Sequence, residues 1–129
     1  MCDKEKLLKY LYRWIRLGQE EITIERLMKE RSMFKTAIYG YSILTECLIY
    51  ELNGNDIEIS FLIDRNADNL SISFPKYKLD EAPLNNVNHI LIMPVDNYEI
   101  IKRDLQEQMN NSGNNGLILV TFEDLIYEL

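Results

Sequence analysis

Cysteine is scarce in this chain. The two residues present, Cys2 and Cys47, cannot build a disulfide framework and lack the spacing of metal ligands. Histidine occurs once, at His89, with no Ser, Cys or carboxylate at a recognisable spacing, so it reads as a structural residue and not as a general base. No apolar run approaches the roughly 20 residues that cross a bilayer, and a membrane span is not expected. The start, Met1-Cys2-Asp3-Lys4-Glu5, lacks the basic and then apolar layout of a secretory leader, so the cytoplasm is the expected location. Positive charge is also short, 14 Lys and Arg against 21 Asp and Glu, for a net charge of -7.

That deficit is uneven. Residues 1–35 hold nine basic and six acidic side chains, a balance of +3, and the remainder holds five and fifteen, a balance of -10. So acidic a body is a poor partner for nucleic acid or anionic lipid. The mixed signs of the first part suit a solvated helix face better than a phosphate-reading arm.

What the chain does have is size and apolar pattern. Its 129 residues, 47% of them hydrophobic, suffice for one core without staples. From Lys4 to Leu17, Leu7, Leu8, Leu11, Trp14 and Ile15 recur at helical spacing, and Gly18 is the expected stop. Tyr10, Tyr12 and Leu17 widen that apolar face beyond what one neighbour covers. Thr23 then reads as the N-cap of a second short helix whose inner stripe is Ile24, Leu27 and Met28. Residues 1–33 are thus expected to form a helical hairpin ahead of an α/β domain at 34–129. The hairpin has two readings, a lid on one end of the sheet or a self-association surface marked by Trp14 and the tyrosines.

The stretch from Phe34 to Asp64 organises the rest. A short apolar run, Lys35 to Tyr39, meets Gly40; a helical pattern follows from Ser42 to Leu52 and stops at Asn53-Gly54; a second run from Ile57 ends in Asp64. Strand, glycine turn, helix and a second strand with an acid at its tip make the first βαβ unit of a nucleotide-binding fold. In that helix Leu44, Cys47, Leu48 and Leu52 are expected against the sheet, and Glu46 and Glu51 in water. Leu70, Ile72 and Phe74 alternate with serines as a weak third strand before Pro75, and residues 76–88 read as an irregular crossover. His89 to Met93 is a continuous apolar strand, buried on both faces. Pro94 and Asp96 stop it and cap a helix whose inner face is Tyr98, Ile101, Leu105 and Met109. Residues 110–116 read as a polar loop, 117–120 as the last strand and 122–129 as a terminal helix. Alternating strands and helices predict a three-layer α/β fold with a parallel sheet of order 3-2-1-4-5. Its switch point places any ligand over Gly40 and Pro94.

Ala-Ile-Tyr-Gly-Tyr-Ser-Ile-Leu-Thr at 37–45, Phe-Leu-Ile-Asp-Arg-Asn at 61–66 and Ile-Leu-Ile-Met-Pro at 90–94 resemble small bacterial NAD(P)-binding Rossmann-like domain proteins of polysaccharide and nucleotide-sugar biosynthesis. The resemblance runs from about Lys35 onward and implies a G-x-G-x-x-G loop after the first strand. Gly40 keeps the first glycine, but Ser42 and Thr45 stand in place of the second and third. The second glycine normally lets a pyrophosphate approach the backbone, and the third lets the helix pack closely. Open N–H groups at the helix start would still favour an anion.

The expected ligand residues are therefore Gly40, Tyr41, Ser42 and Ile43 in the loop, Asp64 and Arg65 after the second strand, and Pro94. Asp64 stands where an acid binds adenine-ribose hydroxyls, which favours NAD over NADP; its other reading is a turn-initiating acid that caps the loop after the strand. NAD, weakly held, is the one cofactor expected. Tyr98 and Lys102 match a Y-x-x-x-K spacing by coincidence, lacking a catalytic Ser and a substrate domain. With no defensible catalytic set, two functions compete. One is an accessory protein with a vestigial nucleotide site, acting through self-association or a partner in surface-polysaccharide metabolism. The other is a functional binder of NAD or a related nucleotide serving a sugar-modifying enzyme. A nucleotide or nucleotide-sugar ligand and a homodimer through the N-terminal helices are the expected partners.

Overall fold

The computed structural model describes residues 4–94, 97–114 and 116–127. Five strands, β1 (Lys35–Tyr39), β2 (Glu58–Ile63), β3 (Lys76–Tyr77), β4 (His89–Ile92) and β5 (Ile118–Thr121), form one sheet. All four pairings are parallel and the order is β3-β2-β1-β4-β5, as the alternating pattern predicts. The helices are α1 (Lys4–Gln19), α2 (Ile24–Glu30), α3 (Ile43–Leu52), α4 (Tyr98–Ser112) and α5 (Phe122–Tyr127). Among the described residues no helix is long and apolar enough to cross a membrane.

The two-residue period of the central strands divides the core. Ala37, Phe61, Ile63, Ile90 and Ile92 point to the face covered by α4, where Ile101, Leu105 and Met109 meet them. Ile38, Leu62 and Leu91 point to the opposite face, against Leu44, Leu48 and Leu52 of α3 and Phe122 and Ile126 of α5. All four residues of β4 are buried, because helices lie on both sides of it.

α1 and α2 add to the α3/α5 side. Leu17, Ile24, Leu27 and Met28 share its core, and Trp14 packs on Phe122 with ring centroids 5.4 Å apart. The hairpin therefore lies along a face of the sheet, not across its end. α1 runs one residue past Gly18, and Glu21, with φ of 61°, supplies the left-handed turn after it. Thr23 caps α2 as expected, its side chain accepting the Arg26 N–H at 3.1 Å.

Three further expectations change. The edge strand is Lys76–Tyr77, not the alternating stretch Leu70 to Phe74. β2 bonds to the carbonyls of Pro75 (from Leu62 N–H, 2.8 Å) and Tyr77 (from Asp64 N–H, 3.0 Å), a role in which the missing proline N–H costs nothing. Ile72 and Phe74 instead pack as half-buried loop residues on the α3 side. α4 continues through Asn110 and Asn111 to Ser112, and its stop is Gly113, left-handed at φ 78°, with Asn114 N–H closing on Met109 O at 3.1 Å. Cys47 is exposed and is not a core residue, while Glu51 is half-buried. Glu51 lies two turns on from Leu44, on the flank that α1 and α2 cover, and accepts Trp14 Nε1–H at 3.0 Å and Ile24 N–H at 3.2 Å.

Candidate functional site

The crevice lies at the carboxyl edge of the sheet, where the chain leaves β1 and β4 in opposite directions. Gly40, at φ 97°, makes the turn out of β1 while its N–H donates to Ile63 O at 2.9 Å. Met93 N–H reaches Tyr39 O, also at 2.9 Å, so the ladder is closed right up to the turn. A cavity of about 320 Å³ opens there, lined by Gly40, Tyr41, Ser42, Asp64, Arg65 and Pro94 among others. Six of the seven residues singled out in the sequence thus meet at one place. Ile43 does not: it is 58% exposed, on the outer side of the first turn of α3.

The loop itself is closed from within. Ser42 is the N-cap of α3, and its hydroxyl accepts Leu44 N–H at 3.2 Å. Thr45 Oγ1 accepts Ser42 N–H at 3.2 Å and donates to Gly40 O at 2.6 Å, which completes a capping box. The two residues that replace glycines therefore bond the amides and the carbonyl of their own loop. Thr45 is wholly buried, in the space a third glycine would leave for close packing.

Asp64 closes a further donor of the loop. Its Oδ2 accepts the Tyr41 N–H at 2.9 Å, and its Oδ1 accepts the Asn66 N–H at 2.8 Å. The open amides expected just past Gly40 are thus corrected: those of Tyr41, Ser42 and Leu44 all have partners inside the protein. The carboxylate turns toward the glycine loop, the position where a pyrophosphate would otherwise meet N–H groups.

Several lining residues were not singled out in the sequence. Tyr39 is the most informative, half-buried on the α4 side at the mouth of the crevice. Burial first, then the charges of Asp64 and Asp104, raise its phenol above the ordinary value of 10.0, and Arg65 opposes them. It therefore stays a neutral hydrogen-bond donor. Its signal was its place one residue before Gly40. Tyr39 and Arg65 also line a neighbouring groove of about 400 Å³ that runs between Lys78 and Asp104. Asn97 lines the crevice at the start of α4 in a left-handed conformation, φ 60° and ψ 41°, without a side-chain cap bond. Asparagine tolerates that region better than most residues. The expected cap, Asp96, lies outside the described residues.

His89 sits at the amino end of β4, on the edge of the sheet away from the crevice. It is buried, its Nδ1 has no hydrogen-bond partner among the described residues, and desolvation lowers its pKa. Tyr98 and Lys102 do not line the crevice. Among the described residues no three His, Cys, Asp or Glu side chains gather to hold a metal. Chemically, the crevice offers the neutral phenol of Tyr39, the phenol of Tyr41 that donates to Glu46 Oε1 at 2.7 Å, the exposed guanidinium of Arg65 and a carboxylate already bound to two backbone amides. No protein-family profile, curated protein or solved structure matches the chain.

Proposed function

We propose that this chain is a Rossmann-like accessory protein with a vestigial nucleotide site, acting by association and not by chemistry at the crevice. The bond from Tyr41 N–H to the Asp64 carboxylate carries the reading. A dinucleotide phosphate seeking that amide must displace a charge-assisted hydrogen bond, at about 1.5–3 kcal/mol, or roughly 10- to 150-fold in affinity. It must also lie beside an ionised carboxylate, with Arg65 as the nearby counter-charge. The place in surface-polysaccharide or nucleotide-sugar metabolism is supported by the resemblance of residues 37–45, 61–66 and 90–94 alone.

A second reading, a working binder of NAD or another nucleotide, is supported by the position of the crevice at the switch point and by Asp64 within it. Thermal-shift titration with NAD, NADP and UDP-sugars separates the two. A working site gives about 2.7 kcal/mol of stabilisation at a hundredfold excess over Kd, and loses it in Asp64→Ala. The accessory reading gives no ligand-dependent shift, and Asp64→Ala lowers the stability of the free protein.

A further inference from the structure

We propose that the groove between α1 and α3 is the docking surface for a second copy of this chain, with α1 of each protomer laid two-fold against α3 of the other. This names the partner in the association reading above and rests on that reading. α1 carries two apolar stripes. Leu7, Tyr10, Leu11, Trp14 and Leu17 pack on the body, which is all that a helix with one neighbouring layer requires. Leu8, Tyr12 and Ile15, at i, i+4 and i+7, form a second stripe facing outward and are 66%, 66% and 60% exposed. Ile15 then joins Leu11, Trp14, Cys47 and Tyr50 around an apolar groove of about 640 Å³. Tyr50, on the far wall, is 86% exposed and contributes little to the packing of its own protomer.

Charge and area both point to a second copy as the occupant. α1 has five basic residues and one acidic, whereas α3 has Glu46 and Glu51 and no basic residue. The wall that α3 gives the groove is acidic, while exposed Lys9 and Arg16, three and four positions from Tyr12, flank the outward stripe of α1. A two-fold contact that seats this stripe in the groove brings Lys9 and Arg16 toward Glu46 of the other copy, and the reverse contact forms at the same time. The chain is in this respect its own complement. With an aromatic side chain presenting 150–250 Å², Leu8, Tyr12, Ile15 and Tyr50 offer on the order of 500 Å² per copy. That is most of the roughly 800 Å² per partner in a standard interface, and the rim of α1 extends it. The net charge of -7 on each copy opposes the encounter, so association depends on these local pairs.

Sedimentation velocity of the full chain across a wide concentration range tests the proposal. The expected result is a reversible dimer that becomes monomeric in Ile15→Glu and in Tyr50→Arg, both exposed sites, with unchanged far-UV circular dichroism. Charge reversal beside the α1 stripe, Lys9→Glu with Arg16→Glu, weakens the dimer, and adding Glu46→Lys restores it. Alkylation of Cys47, read by peptide mass spectrometry, slows as the wild type associates and keeps a constant rate in Tyr50→Arg. A chain that stays monomeric overturns the proposal and leaves the groove to a different partner. A dimer that survives both Ile15→Glu and Tyr50→Arg overturns it too, because the interface then lies elsewhere. Neither result bears on the nucleotide titration, so the two readings fail separately.

Discussion

Asp64 and Tyr41 stand 23 residues apart in the chain, and the carboxylate of one holds the backbone N–H of the other at 2.9 Å. The bond ties the tip of β2 to the loop that opens α3. It also puts a fixed negative charge where the nucleotide-binding version of this fold receives one from its ligand. Under the reading proposed above, a ligand phosphate would have to compete with this side chain for the same donor.

Removing that side chain exposes the competition. Asp64→Ala leaves the amides of Tyr41 and Asn66 without their acceptor, and a loss of about 1–3 kcal/mol in urea unfolding is expected. Asp64→Asn keeps one acceptor oxygen and removes the charge, so it should cost less than Asp64→Ala. A stability of Asp64→Ala equal to wild type would show that the carboxylate does not hold the loop.

Gly40 supplies a second test of the same turn. At φ 97° it occupies the left-handed region, where a Cβ costs about 1–2 kcal/mol. Gly40→Ala is expected to destabilise by about that amount, measured by the same unfolding experiment. A neutral result would mean that the turn adjusts, and the loop geometry described above would not be rigid.

The parts of this fold that were legible in the sequence are those whose pattern depends on both faces being covered. β1 and β4 are short continuous apolar runs, and their extents follow from residues 35–39 and 89–92 with hardly a position of error. β3 was not legible, because two residues carry no period, and Leu70 to Phe74 alternate only because a half-buried loop can alternate too. Cys47 and Glu51 were misplaced on α3 because the face of a helix is fixed by all its neighbours. Only the sheet could be inferred, and α1 and α2 reset the boundary.

At the site, the loop residues and Asp64 were found because they are adjacent to strand ends. The direction of the Asp64 carboxylate was not, since a side-chain rotamer decides between the ribose side and the loop. The capping box was in plain view as Ser42-x-x-Thr45, but the same letters were read as lost glycines.

Trp14 belongs to the interior of the hairpin contact, and its substitution should be felt as stability. Its indole N–H donates to Glu51 Oε1 at 3.0 Å, and its ring packs on Phe122. Trp14→Phe keeps much of the apolar contact and removes the donor, which is expected to cost about 1–2 kcal/mol for a part-buried bond to a charged acceptor. Hydrogen exchange should show the loss first in α1 and α2, with β1 and β4 still protected. Uniform loss across the sheet would mean that the hairpin and the α/β layers open only together.

His89 gives the fold a pH dependence whose sign follows from its burial. Desolvation lowers its folded pKa below the ordinary 6.5, so the unfolded chain takes up a proton at a higher pH than the native one does. The stability associated with neutral His89 is present in full above pH 6.5 and declines as pH falls toward the lowered folded value. The slope from this one group cannot exceed about 1.4 kcal/mol per pH unit. His89→Leu removes both the titration and the unpartnered Nδ1, and it keeps an apolar side chain in a buried site. Urea unfolding at pH 7.5, 6.5 and 5.5 should therefore show the wild type losing stability between the last two points. The variant should be flatter over that interval, before carboxylates begin to titrate. Equal slopes in the two proteins would place the unfolding-linked proton on some other group and return His89 to an ordinary packing role.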